Sequence, residues 1–182
     1  METGAKFSPC RRFRYLLWRR WNEDRPWCNF IGLNPSTADE AQDDPTVRRC
    51  INYAKDWGYG GLYMTNIFAY RATDPQEMKV QPDPVGPDND RAIQQAWLDA
   101  EISVAGWGTH GSYQNREAEV LLLITSLYCL AVTKDGHPCH PLYLPKTLKP
   151  VLWADRPPPL EEALMRFMES PGCDLCLWPI GR

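Results

Sequence analysis

Apolar residues along the chain gather in short runs, and helical stretches lie between them. Residues 27–33 form a compact apolar run bounded by Pro26 and by Asn34-Pro35, as a buried strand would be. Residues 61–68, 102–107 and 128–132 have the same character, and Gly108 halts the third run. Between the runs the period changes. After Asp44-Pro45-Thr46, apolar residues fall at Val47, Cys50, Ile51 and Ala54, on one helical face. Asp44 fits the N-cap and Pro45 the first helical position, with an end near Gly58. Residues 88–100 carry Ala92, Ile93, Ala96 and Trp97 at helical spacing. Residues 116–126 carry Ala118, Val120, Leu121, Leu122 and Ile124, and 159–168 predict a last helix stopped by Ser170-Pro171-Gly172. Residues 13–21 are aromatic and basic and fit a strand or a short helix, while 72–87 and 136–145 read as proline-containing loops.

Short apolar strands alternating with helices predict an α/β fold. The expected form is a three-layer α/β/α sandwich with a central, mostly parallel, four-stranded sheet. One domain covers 1–182: a basic N-terminal segment at 1–25, a core at 27–145, and a C-terminal strand and helix at 146–182. In such sheets ligands bind beyond the carboxyl ends of the strands. The residues expected there are Asn34-Pro35-Ser36, Asn66, Trp107-Gly108 with His110, and the segment from His137 to Pro141.

Composition narrows the function classes. The chain is 43% hydrophobic, enough for a core, and its net charge of −3 argues against a protein that coats DNA over its whole surface. Nucleic-acid contact would need a local patch, and Arg11, Arg12, Arg14, Arg19, Arg20 and Arg25 supply one unless they form a solvated face. No apolar run reaches the ~18 residues of a membrane span, and no signal-peptide core is present. Seven scattered cysteines fit reduced thiols in a cytoplasm. Cys173 and Cys176 form one CxxC without a second pair, so no metal or cofactor is expected. Asp39, Glu40, Asp43 and Asp44 form an acidic cluster. It is read as a helix N-terminal charge bias, with a metal site or a water-activating carboxylate as alternatives.

Four motifs occur in order: FIGLNPS, LYMTNIFAYR, VAGWGTHG and HPLYL. Together they resemble the uracil-DNA glycosylase superfamily, in its branches with Asn in the first motif. The chain is also similar to a bacterial family of unknown function that shares GLNPS, the Asp-Pro-Thr-Val-Arg-Arg-Cys segment and the His-Pro-Leu-Tyr ending. The resemblance implies a uracil-DNA glycosylase-like fold and a monomeric, cofactor-free DNA glycosylase acting on a base flipped out of double-stranded DNA. By that resemblance Asn34 positions the attacking water and His140 hydrogen-bonds the departing base. Asn66 reads the base edge, with Gly32 and Phe68 completing the base-binding set. Leu144 is the wedge that enters the duplex, with Tyr143 beside it, and Arg71, Arg48 and Arg49 approach the DNA. Ser36 stands where the uracil-specific branch has a Tyr that blocks C5, which implies room for a bulky 5-substituent unless Tyr70 or Phe68 fills the space. Hypermodified bacteriophage DNA, and hence antiviral defence, is the favoured setting. The alternatives are repair of uracil or damaged bases, hydrolysis of free modified nucleotides, and a non-catalytic DNA-binding module. Each residue also has a plain structural reading: a turn Asn before proline, a strand-end Asn, a loop His, a core Leu.

Overall fold

Each of the four apolar runs becomes a strand, and polar, aromatic and basic segments extend the sheet on both sides. The computed structural model describes residues 1–155. In chain order the elements are β1 (Glu2–Phe7), β2 (Arg14–Arg20), β3 (Trp27–Gly32), α1 (Pro45–Asp56), β4 (Gly61–Asn66) and α2 (Pro75–Lys79). There follow α3 (Asn89–Asp99), β5 (Ile102–Ala105), α4 (Arg116–Leu123), β6 (Ser126–Cys129) and β7 (Val151–Asp155). Among the described residues one seven-stranded sheet has the order β1-β2-β4-β3-β5-β6-β7.

The central strands β4, β3, β5 and β6 are parallel and are the four expected from the apolar runs. The expectation of a four-stranded sheet is corrected: β1 and β2 add antiparallel on one side and β7 on the other. Residues 1–25 are therefore largely part of the sheet. The strand pattern of β2 is masked because two of its buried residues are arginines, Arg14 and Arg19. At the edge, β1 has too few apolar residues to signal a strand. Residues 75–79, expected as loop, form a short helix that Asp74 caps by accepting from the Gln76 N–H at 2.9 Å. The helix expected over 159–168 and the Cys173/Cys176 pair lie outside the described residues.

Apolar residues cover both faces of the parallel strands, which is why those strands read as continuous apolar runs. Cys28, Phe30, Leu62 and Met64 pack with Val47, Cys50, Tyr53 and Ala54 of α1. Ile31 and Ala105 pack in a second cluster with Ile93 of α3 and Val120 of α4. Asp44 caps α1 as the sequence predicts, accepting from the Val47 N–H at 2.8 Å, with Pro45 opening the helix. Among the described residues no helix is long and apolar enough to cross a membrane.

Three buried polar side chains interrupt the second apolar face. Asn29 Nδ2 donates to Ser103 Oγ at 3.1 Å, and Thr65 Oγ1 donates to Asn29 Oδ1 at 3.3 Å. All three are buried, and they join β4, β3 and β5 side to side. Asn29→Ala strands two hydroxyls and is expected to cost about 1–3 kcal/mol, whereas the triple change Asn29→Ala, Thr65→Val, Ser103→Ala removes the need for partners and costs less. Thermal melting of both variants checks this; a triple variant less stable than the single one would refute it.

Candidate active site at the strand ends

The sheet order places a crevice before any side chain is considered. The connection from β3 through α1 leads to β4 on one side, and the connection from β4 through α3 crosses to β5 on the other. Chains leaving the ends of β3 and β5 therefore diverge, and a ligand crevice opens between them. A cavity of about 460 Å³ lies there. Gly32, Leu33, Asn34 and Ser36 reach it from β3, Asn66 from β4, and Trp107 to His110 from β5. His140, Leu142 and Tyr143 come from the loop after β6, Asp44 and Thr46 from the start of α1, and Arg14 from β2.

Asn34 is held by backbone. Its Nδ2 donates to Ala72 O at 2.8 Å and to Pro35 O at 3.2 Å, while the Ala72 N–H donates back to Pro35 O at 2.9 Å. Two carbonyls fix which end of the amide is nitrogen. Neither bond engages Oδ1, which remains an acceptor able to orient a water but not to take its proton.

Asn66 stands opposite Gly32 in the sheet register. A Cβ on Gly32 would lie 2.8 Å from Asn66 Oδ1, so only glycine lets the amide sit where it does. Asn66 is buried, and its Nδ2 has no hydrogen-bond partner among the described residues. The amide thus brings to the cavity a buried donor that the protein itself leaves unsatisfied.

His140 begins the turn that carries Leu142 and Tyr143, and its Nδ1 accepts from the Leu142 N–H at 3.4 Å. That bond places the proton of a neutral ring on Nε2. Burial lowers the His140 pKa below its ordinary 6.5, and the Asp44 carboxylate opposes this more weakly. At neutral pH the ring is a neutral donor. The loop itself is pinned: Pro141 Cδ would stand 2.9 Å from a Cβ on Gly106, and the Gly108 N–H donates to Pro138 O at 2.8 Å. Trp107 forms the adjoining wall, its Nε1 donating to Glu117 Oε2 at 2.6 Å, and the same oxygen lies 3.0 Å from His137 Nδ1.

Of the residues singled out from sequence, the cavity brings together Gly32, Asn34, Ser36, Asn66, His140 and Tyr143. Phe68 is not among its lining; it is wholly buried in the second core cluster, 5.9 Å from the Tyr113 ring. Tyr70 does not line the cavity either, but it lines an adjoining groove together with Ser36 and so borders the space on that side of Ser36. Leu144 is partly buried against the first cluster, whereas Tyr143 is 83% exposed. Arg49 donates to Leu144 O and Arg48 to Asp43 O, so both are engaged with backbone. Arg71 lines a neighbouring groove of about 350 Å³ with Arg11, Arg12 and Tyr70, and this groove shares Ser36, Ala72 and Thr73 with the cavity.

The acidic cluster divides. Asp44 alone of the four lines the cavity. Asp39 and Asp43 hold the preceding loop, where Arg19 Nη2 donates to Asp39 O at 2.7 Å and Arg19 Nε to Asp43 Oδ1 at 2.8 Å. Glu40 pairs with Arg11 at 2.8 Å. Among the described residues no three His, Cys, Asp or Glu side chains converge as metal ligands. Sequence reasoning missed Arg14, which it grouped with the surface arginines. The available signal was its position at the start of an aromatic, strand-compatible run.

A pH test follows from His140. Its folded value lies below the unfolded one, so the stability tied to its neutral form is complete above about pH 6.5 and is lost as pH falls through the folded value. Relative to wild type, His140→Gln should therefore lose less melting temperature between pH 7.5 and pH 5. Equal losses in the two proteins would contradict this.

A family described as Protein of unknown function (DUF1643) matches residues 14–142. No curated protein and no solved structure matches the chain. The matched span runs from Arg14 to Leu142, covers most of the chain, and contains Asn34, Asp44, Asn66 and His140, so the chain belongs to the DUF1643 family.

Proposed function

We propose that this protein is a monofunctional DNA glycosylase that hydrolyses the N-glycosidic bond of a flipped-out pyrimidine bearing a bulky 5-substituent. The observation that carries the reading is the meeting of Asn34, Asn66, His140 and Ser36 in one cavity at the ends of four parallel strands. The three-layer arrangement expected of such a fold agrees with helices packing on both sheet faces.

The chemistry follows from the free polar atoms. Asn34 Oδ1 accepts a hydrogen bond from a water and aims its oxygen at C1′. The C1′–N1 bond breaks, its electron pair leaves with the base, and the water oxygen bonds to C1′. The water's proton ends on the anionic base. His140 Nε2–H donates to the base oxygen where that charge develops, and a neutral donor does so without first losing a proton. Asn66 Nδ2 donates to an acceptor on the base edge, which leaves uracil and cytosine types unseparated because an amide can turn over. Ser36 leaves space at C5.

Extrusion of the base requires a group to occupy the gap in the stack. Tyr143 is the exposed large residue at the cavity, and Leu144 is partly buried, so the wedge role passes to Tyr143. Arg11, Arg12 and Arg71 line the adjoining groove and would meet phosphates of a strand whose base enters the cavity. That groove favours DNA over free nucleotides, and a steep fall of binding with salt would bear it out. A cytoplasmic setting suits the free, buried thiols of Cys28, Cys50 and Cys129.

Duplexes carrying one uracil, 5-hydroxymethyl or glucosylated pyrimidine, incubated with the protein and treated with alkali, test the activity. Strand cleavage is expected at a 5-substituted base, and folded protein that cleaves none of them would refute the proposal. His140→Ala should reduce the rate about 10²–10³-fold, the loss seen when one charge-stabilising donor is removed. Gly32→Ala should impair the rate while leaving the melting temperature close to wild type, because the added methyl meets the Asn66 amide at a strand end. Unchanged rates in Gly32→Ala would remove Asn66 from the site.

A further inference from the structure

We propose that Arg14 and Asp44 together read a hydroxyl group on the ligand, so that the cavity takes pyrimidines whose 5-substituent is hydroxymethyl or glycosyl; this rests on the pyrimidine reading of the site. Arg14 is 2% exposed and lines the cavity. Among the described residues its guanidinium makes no ion pair and one hydrogen bond, from Nη1 to Ala38 O at 2.9 Å. Its Nε is buried without a partner. Buried charges are ordinarily paired and fully hydrogen-bonded. The Nη1 bond leaves the edge formed by Nε and Nη2, two parallel N–H donors suited to oxygen. The bond to Ala38 also anchors the guanidinium to the segment that follows Ser36, which lines the same cavity.

Asp44 supplies the complementary group. Its Oδ1 accepts from the Val47 N–H, and a carboxylate has further acceptor capacity. Burial pushes the Arg14 guanidinium down to about 10, and the Asp44 charge is the largest influence opposing it. The two side chains are near enough to feel each other, yet no ion pair joins them among the described residues. A donor and an acceptor thus line one cavity without meeting. A hydroxyl accepts from the first and donates to the second. A 5-methyl group satisfies neither, and a 5-carboxylate satisfies Arg14 but faces the charge of Asp44. Thr46, Thr73 and Ser36, all on the cavity wall, add hydroxyls that a glycosyl group can use.

The test measures equilibrium binding of the full chain to duplexes holding one 5-methyl-, 5-hydroxymethyl-, glucosylated 5-hydroxymethyl- or 5-carboxylcytosine. Wild type is expected to bind a hydroxylated base at least tenfold more tightly than the methyl and carboxyl bases. Arg14→Met and Asp44→Asn should each reduce that ratio below threefold. Asparagine keeps the helix cap, so Asp44→Asn tests the inference even if Arg14→Met fails to fold. Equal wild-type affinity for the methyl base, or a ratio retained in either folded variant, overturns the proposal. Alkali treatment of the same duplexes separates the two readings. Cleavage without hydroxyl preference removes this inference and leaves the glycosylase. Hydroxyl-dependent binding without cleavage of any duplex removes the glycosylase and leaves the Arg14–Asp44 reader.

Discussion

Asn29, Thr65 and Ser103, joined by hydrogen bonds in the middle of the sheet, tie β4, β3 and β5 together and fix the level at which Gly32, Asn66 and Trp107 emerge. Apolar parallel strands tolerate slippage poorly only where their side chains are distinguishable, and a row of branched apolar residues is not. The polar triad is distinguishable. A slip of one residue turns a partner to the opposite face, and a slip of two moves it about 6.6 Å along the strand. Either leaves buried donors and acceptors unmet. With the triad in register, Gly32 lies opposite Asn66 and Ile31 opposite Ala105. The meeting of Gly32 and Asn66 at the cavity is thus tied to hydrogen bonds made by Thr65, the residue before Asn66, and by Asn29, three before Gly32.

The antiparallel addition at β2 does a second job. Arg19 is 1% exposed, and its guanidinium is surrounded by acceptors: Asp43 Oδ1, Asp39 O and Trp18 O within 2.8 Å. Arg14 binds Ala38 O from the same strand. Two buried arginines thereby hold the loop that leads from the Asn34 turn to the Asp44 cap. The loop has few apolar side chains with which to pack, so charge-assisted bonds to its carbonyls take the place of a core. The N-terminal strands are therefore part of the site's support, although β1 contributes nothing to the cavity.

Much of the central architecture was legible in the sequence. The four parallel strands were marked by apolar runs, two of them closed by Asn34-Pro35 and by Gly108, and α1 by Asp44-Pro45. The edges were only partly legible: 13–21 fit a strand or a short helix and 146–182 a C-terminal strand, but β1 carries few apolar residues, and the arginines of β2 look like surface charge until their partners are known. Asn66 closes β4 and Asn34 follows β3 by two residues, and both could be found as cavity residues, since the fold class places strand ends at the ligand. Phe68 and Leu144 could not be placed. Phe68 is two residues past the end of β4 and still inside the apolar cluster, while the turn at Pro141 exposes Tyr143 and leaves Leu144 partly buried. No spacing rule distinguishes adjacent residues in a turn. Arg14 carried one signal, its place at the start of a strand-compatible run; what sets it apart from the surface arginines is burial without a partner for Nε, which no sequence pattern records.

The clamp on Asn34 bears on why an amide stands at this position. Its Nδ2 is 2.8 Å from one carbonyl oxygen and 3.2 Å from another. A carboxylate in the same rotamer would set a negative oxygen against both, with no proton to share, and would be driven toward its protonated form or out of place. The backbone thus selects a neutral side chain and denies the site a strong base there. Chemistry built on such a residue must draw on charge developing elsewhere. In the proposed reaction a departing base anion, met by the neutral His140 donor and the free Asn66 donor, would supply that charge, and the weaker the water's activation, the more the rate would depend on how well those donors fit the base. Specificity and rate then rest on the same contacts, so a cavity shaped around one 5-substituent would act slowly on a bare pyrimidine even though the bond to be broken is the same.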